Sequence, residues 1–466
     1  MKHFKTLLIS SALILSLAGP ALAEDSAASA KVLIEKAQAS TLGWDIVESL
    51  TTEVGPRLAG SAAEARARDW AVKKLNALGF ANVHVEPFEM EGWQRGTIAL
   101  NVGDPYPQRL VATALGGSIG TPVGGITAPV VRFESLQDLR DAKVGSLKGK
   151  IAFVDSKMTR TQRGAGYGQA VQKRSAGPSI AAERGALALL IRSAGTDYQR
   201  NAHTGGLRYD DQQPRIPAAA LSNNDADQLG RLLALKSDLP LSLSMSSKRI
   251  GKVMSGNVIG DIVGSEYPDE IVLLGAHLDS WDEGTGAIDD GTGVAIITAA
   301  AKLVAMHARP KRTIRVVFFG AEEPGLIGAR AYVKEHKDEL DKIIMVSESD
   351  FGSGRIWRMD TGIAKADEAK ADAILRVLAP LGVLPGARTA SGGSDVSALS
   401  AAGTPAITLG QNGWEYFDLH HTPNDTLDKV DPDDLAQNIA VYAAFALMVA
   451  NTQGGFHPPE KPASEE

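Results

Sequence analysis

From residue 256 onward the chain alternates between short apolar runs and longer stretches of helical period. "EIVLLGAH" (270–277), "TIRVVFFG" (313–320), "KIIMVSES" (342–349) and "PAITLG" (405–410) are continuous apolar segments of strand length. Helix spacing marks "GVAIITAAAKLVAMH" (293–307), "GARAYVKEHKDEL" (328–340), a segment near 366–379, and Pro432 to about Ala450. Strands apolar on both faces, alternating with helices, predict an α/β unit: a mainly parallel mixed sheet flanked by helices. Upstream, helical period recurs over 30–50 and over 62–80, the second ending on Gly79, and 83–101 is strand-like.

The regularity lapses between these two parts. "GGSIGTPVGGITAP" (116–129) is Gly/Pro-rich and reads as a boundary. Beyond it lie short strands ("APVVRF", 128–133; "GKIAFVD", 149–155), a helix over "SIAAERGALALLIRSAG" (179–195) and a strand-to-helix step at 215–233. The pattern predicts an α/β domain at 118–247 inserted into a discontinuous main domain of 24–117 and 248–452. The segment 453–466 is polar and Pro-rich and is expected to be a disordered tail.

The first residues change the picture of destination. "MKHFKTLLISSALILSLAGPALAEDS" combines Lys2 and Lys5, an apolar stretch from Leu7 to Leu17, and Ala21-Leu22-Ala23. That is a signal peptide (1–23) cleaved after Ala23, its apolar core shorter than the ~20 residues of a spanning helix. Export to the periplasm, or secretion to the medium, is expected, with no membrane association once the signal is removed. Formal charge is −7 over 466 residues, and losing Lys2 and Lys5 without any acid makes the mature chain more acidic still. Such a balance argues against nucleic acid as a partner. There is no cysteine, so disulfides and thiolate metal sites are excluded.

Ligands in open α/β sheets bind beyond the carboxyl ends of the strands. The 270–277 strand ends at His277, two residues before Asp279; "GAIDDGTG" then places Asp289 and Asp290 ahead of a helix. The 313–320 strand leads to Glu322-Glu323, the 342–349 strand to Asp350, and the last strand to Tyr416 and "FDLHHTPNDT" with His420 and His421. Singly, each is ordinary: a strand-end Asp is usually a turn or helix cap, a lone His usually a packed residue. Together at one sheet edge they are a surplus of acid that desolvation and repulsion would forbid without cations. Imidazole and carboxylate without sulfur suit zinc.

"GAHLDSWDEGTGAIDDGTG", "RPKRTIRVVFFGAEEPGLIGARAY", "SESD" and "HHTPNDT" resemble the di-zinc exopeptidase family of bacterial aminopeptidases and glutamate carboxypeptidases. The likeness runs from "GPRLAGS" (55–61) to about residue 435, and 118–247 resembles the protease-associated domain often inserted in exopeptidases. The resemblance implies two zinc ions per chain, held by His277, Asp289, Glu323, Asp350 and His421, with Asp289 bridging and the Asp289–Asp290 bond cis. It implies Glu322 as general base, and Asp279 hydrogen-bonding the far nitrogen of His277. It also implies hydrolysis of small unblocked peptides, dipeptides foremost, and raises a homodimer as an expectation. Tyr416, Ser394, Asp395 and His420 are substrate-side candidates, Tyr416 and Ser394 as oxyanion donors. A strict aminopeptidase, or a non-catalytic binding protein on the same fold, are the competing readings.

Overall fold

The computed structural model describes residues 19–460, with side chains from residue 26. Most of the expected signal segment therefore lies outside the described residues. Two eight-stranded sheets organise the chain. The first runs Ala81–Gln94, Lys248–Ile262, Arg312–Phe319, Tyr267–His277, Ile343–Glu348, Ala406–Gln411, Ile356–Gly362, Leu384–Pro385. Its four middle strands, from Arg312–Phe319 to Ala406–Gln411, pair in parallel. Antiparallel partners flank them on both sides, at Lys248–Ile262 and Ile356–Gly362. This is the mixed, mainly parallel sheet that the apolar runs predict.

Period two explains why the middle strands read as unbroken apolar runs. Val272, Leu274 and Ala276 pack on one face with Val294 and Ile297 of the helix Thr292–His307 and Phe445 of Pro432–Asn451. Ile271 and Leu273 point the other way, into a cluster with Val317, Phe319, Tyr332 and Val346. Both faces are covered, so both parities must be apolar. Truncating fully buried Leu274 to Ala would cost about 2–5 kcal/mol on that basis.

The second sheet runs Gln108–Leu110, Ile98–Val102, Pro240–Met245, Ile126–Phe133, Ile151–Val154, Ala188–Arg192, Ala218–Leu221, Ala112–Ala114. The inserted unit thus begins near residue 96, not at 118. Its opening strands pair with chain more than a hundred residues away, such as Leu100 with Leu243, and no local signal announces that.

Two further expectations are corrected. The helix expected over 179–195 is a short helix, Gly177–Glu183, followed by the strand Ala188–Arg192. Gly185, at φ +90°, breaks the helix, and "ALLIR" is buried between two parallel neighbours. A short run buried all round has no period to separate strand from helix. The start of the tail is docked and not disordered. Phe456 joins the main core, Lys370 Nζ donates to Gly455 O, and the His457 N–H donates to Asp367 Oδ2 at 2.7 Å. One aromatic anchor and two backbone hydrogen bonds outweigh the polar, Pro-rich composition around them.

Candidate metal centre

The carboxyl ends of the four parallel strands converge on one cleft of about 720 Å³ between the two units. His277 is the last residue of its strand. Its Nδ1–H donates to the backbone carbonyl of Asp279 at 2.9 Å, which leaves the Nε2 lone pair free to ligate. Nε2 lies 3.1 Å from Asp289 Oδ1 and 3.4 Å from Asp350 Oδ1. On the other side, His421 Nε2 lies 3.2 Å from Asp289 Oδ2 and 2.9 Å from Glu323 Oε2. Asp289 thus offers one oxygen to each histidine. All five expected ligands are brought together.

The donor set fits metal on three counts. Separations of 2.9–3.4 Å match the roughly 3.3 Å edge of a tetrahedron with zinc–ligand bonds of about 2.0–2.1 Å. Asp289 Oδ2 and Glu323 Oε1 are buried without a hydrogen-bond partner, although Oδ2 faces His421. Buried carboxylate oxygens without donors are costly unless a cation sits beside them. Electrostatics agree. Burial, then the neighbouring carboxylates of Asp350 and Glu323, push Glu322 well above its usual range; burial and Asp289 do the same to Glu323. Burial works against charge on His277, yet Asp289 and Asp350 hold it well above the ordinary imidazole value. The site favours positive charge.

Local structure sets these side chains. The Asp289–Asp290 peptide is cis, as the resemblance implies. Asp290 turns inward: its oxygens accept from the His277 N–H and the Gly293 N–H, both at 3.1 Å. A Cβ at Gly293 would lie 2.0 Å from Ser349 O, so only glycine lets the helix begin there. Asp290 positions and Asp289 faces the cleft. His421 sits at φ +61°, held by the Thr204 N–H donating to its carbonyl at 3.0 Å.

The expected role of Asp279 is corrected. Its carboxylate stands 3.9 Å from His277 Nδ1; the backbone carbonyl makes that bond instead. The carboxylate accepts from the N–H groups of Glu322 at 3.0 Å and Glu323 at 3.3 Å. Asp279 therefore fixes the turn from which the two glutamates diverge. Glu323 is buried among the expected ligands, while half-buried Glu322 lines the cleft.

The substrate-side candidates divide. Tyr416 lines the cleft, its ring stacked on Phe351 at 4.5 Å. Ser394 also lines it, but its Oγ–H donates to Asp350 Oδ2 at 2.6 Å, which makes it a support for that expected ligand and not a free oxyanion donor. Asp395 is not substrate-facing. It is fully buried behind the cleft near Glu348, with both oxygens unpartnered, and burial followed by Glu348 raises it well above its usual value. His420 stacks on His421 at 3.5 Å, with Nε2 3.7 Å from Asp289 Oδ2. That is farther than His421, although His420 too can join a cluster with Asp289.

Other supports went unread in the sequence. Buried Arg57 donates to the carbonyls of Leu278, Thr285 and Gly286, pinning the loop between His277 and Asp289. Asp425 accepts from the Ile288 N–H at 2.6 Å and the Asp289 N–H at 3.3 Å. Burial and the Asp289 charge push Asp425 up to about 7. Both residues stand inside quoted motifs, "GPRLAGS" and "HHTPNDT", but bonds to distant backbone leave no mark on spacing.

A family model described as Peptidase family M28 matches residues 257–446. Carboxypeptidase Q of Mus musculus is 36% identical over 407 residues, covering 86% of this chain and 84% of its own. Its Homo sapiens counterpart is 34% identical over 432 residues, covering 91% and 89%. A crystal structure of a peptidase M28 precursor from Shewanella amazonensis SB2B is 52% identical with a TM-score of 0.93, covering 94% of this chain and 100% of that one. BSAP, a zinc aminopeptidase from Bacillus subtilis, shares the fold at 21% identity and a TM-score of 0.63, covering 87% and 94%. With converging ligands on that fold and relatives matched over most of their length, this chain belongs to peptidase family M28 and is a metallopeptidase.

Proposed function

We propose that this chain is an exported di-zinc exopeptidase that hydrolyses small unblocked peptides, dipeptides foremost. One observation carries the reading: Asp289 offers Oδ1 beside His277 and Asp350, and Oδ2 beside His421 and Glu323. A single carboxylate shared by two half-sites is what a pair of ions requires. His277 and Asp350 would hold one, His421 and Glu323 the other. Zinc bound there supplies Lewis acidity, acidifying water and polarising the scissile carbonyl.

The protein's own part falls to Glu322 and its supports. Glu322 takes the proton of the attacking water on its carboxylate and returns it to the leaving nitrogen. Glu322 lines the cleft together with Asp289, Glu323 and Asp350, beside the residues that would hold the ions. Asp279, bonded to two consecutive N–H groups, keeps Glu322 aimed at the cleft while Glu323 turns to the metals. Export is supported by the charged, apolar and small-residue order of residues 1–23. Among the described residues no helix is long and apolar enough to cross a membrane.

The test uses the mature protein, reconstituted with zinc, and one dipeptide in free, N-acetylated and C-amidated form. Cleavage of the free form alone, with two zinc ions per chain by elemental analysis, is expected. Cleavage of free and amidated forms alike would mean an aminopeptidase; no cleavage, or one ion per chain, would overturn the proposal.

A further inference from the structure

The two halves of the candidate metal centre are braced differently. At the His277–Asp350 half the supports come from the main unit: the His277 Nδ1–H donates to Asp279 O at 2.9 Å, and the Ser394 Oγ–H donates to Asp350 Oδ2 at 2.6 Å. At the other half, both expected ligands lie against one segment of the inserted unit, residues 204–206. The Thr204 N–H donates to His421 O at 3.0 Å. Thr204 O lies 3.4 Å from His421 Nδ1, while Arg174, 3.3 Å from the same nitrogen, has only donors to offer. For Nε2 to ligate, Nδ1 must carry the proton, and Thr204 O is the acceptor within reach. Gly206 stands against Glu323: a Cβ there would come within 3.1 Å of the Glu323 carbonyl oxygen.

Arg95, at the junction of the units, fastens that segment. Its guanidinium donates to Thr204 Oγ1 at 2.9 Å, to Ala114 O at 2.7 Å and to Thr113 Oγ1 at 3.0 Å. Two further N–H groups donate to Asp282 Oδ1, at 2.7 and 2.6 Å. Asp282 belongs to the loop between His277 and Asp289. The guanidinium also lies 5.6 Å from the ring of Trp281, which in turn meets the His421 ring edge to face at 5.9 Å. A Cβ at Gly116 would come within 1.9 Å of that indole, so glycine is what lets Trp281 lie there. One arginine thus ties together Thr204, the loop of Asp282, and the indole beside His421.

We propose that Arg95 and Thr204 are positioning residues for the ion at His421 and Glu323, so that the inserted unit governs the affinity of one metal position and leaves the other to the main unit. This rests on the di-zinc reading, and it deepens it: the two positions differ in which unit braces them. Groups that orient a metal's ligands are worth about 10- to 100-fold in metal affinity. The ion at His421 and Glu323 is therefore the one that loosens when contact between the units is weakened.

The test is calorimetric titration of zinc into the metal-free mature chain, in two backgrounds. Asp350→Ala removes the half-site braced by the main unit, and His421→Ala removes the other. In the Asp350→Ala background, Arg95→Met should weaken the remaining ion by about 10- to 100-fold. In the His421→Ala background the same substitution should change affinity by no more than about twofold, the margin for independent sites. Arg95→Lys should recover part of the loss through its bond to Asp282, but not all, because an ammonium lacks the planar fork of donors. Thr204→Val removes the hydroxyl that Arg95 holds and keeps the backbone groups, so a milder loss confined to the Asp350→Ala background is expected, whether or not Arg95→Met folds. A loss no larger in the Asp350→Ala background than in the His421→Ala background overturns the inference, and two ions per wild-type chain then spare the di-zinc reading. One ion per wild-type chain sinks the di-zinc reading; Arg95→Met weakening that ion would then uphold the brace, and leaving it unchanged would overturn it.

Discussion

Two of the buried clusters of charge among the described residues are built on opposite plans. In the inserted unit, Arg192 donates to Asp155 Oδ1 at 2.8 Å, to Asp227 Oδ1 at 2.7 Å and to Asn223 O at 3.0 Å. Arg132 takes the other oxygen of Asp155 at 2.6 Å. Each acid there has a guanidinium. At the edge of the main sheet, Asp289, Glu323, Glu348 and Asp395 all keep buried oxygens that nothing in the protein satisfies. A balanced cluster holds a fold together, whereas an unbalanced one needs a partner from outside. The contrast separates structural charge from functional charge more sharply than burial does, because both clusters are buried.

Four experiments can break or sharpen that contrast. Glu322→Gln should lower kcat by roughly two to four orders of magnitude, the usual worth of a positioned general base, while zinc content stays at the wild-type level. Steady-state kinetics with elemental analysis decides it, and a parallel loss of zinc would move Glu322 into the ligand set. In the balanced cluster, Arg192→Met strands Asp155 and should cost about 3–5 kcal/mol in chemical denaturation. An effect below 1 kcal/mol would mean that water already reaches that cluster. Removing zinc with a chelator should lower Tm, and restoring it to a hundred times its Kd should return about 2.7 kcal/mol. Asp289→Asn should abolish this zinc response without destabilising the chelated protein, the reverse of the Arg192 result.

The smallest effect belongs to an ordinary pair near the surface. His336 Nε2 lies 2.8 Å from Glu86 Oε1. This hydrogen bond raises the His336 pKa, and although burial pulls the other way for Glu86, His336 holds that carboxylate below its usual value. The histidine's contribution is therefore complete below its unfolded value of about 6.5 and is lost as pH rises through the higher folded value. The glutamate's contribution is present above its unfolded value of about 4.3 and is lost as pH falls through the lower folded one. His336→Gln should cost at most about 1 kcal/mol near pH 5.5 and less by pH 9. Denaturation at the two pH values checks it, and a cost that grows toward pH 9 would contradict the assignment.

Reading the sequence reached the residues that the structure brings together at the candidate site because their signal is local. His277, Glu322-Glu323 and Asp350 each follow a continuous apolar strand, and parallel strands bring their carboxyl ends to one edge. Supports were read less well. The family resemblance implies a side-chain bond from Asp279 to His277, but the Asp279 carboxylate is drawn to two N–H groups more than forty residues away. The family resemblance makes Asp395 a substrate-side candidate, yet the chain folds it into a fully buried place near Glu348. The run "ALALLIR" was misread because a strand buried on both faces and a buried helical turn have the same composition.

What the sequence by itself determined was the alternation of the main unit, the strand ends that carry His and carboxylate, and the surplus of acid that calls for cations. Those follow from periodicity and adjacency, which act over a few residues. Only the tertiary structure decided that Asp289 divides its oxygens between two histidines, that Asp279 bonds backbone, and that the second sheet starts near residue 96. Those facts depend on contacts such as that of His421 Nδ1 with Thr204 O at 3.4 Å, between residues 217 apart in the chain. Such contacts are set by how whole sheets pack against each other, and no local pattern of residues encodes that placement.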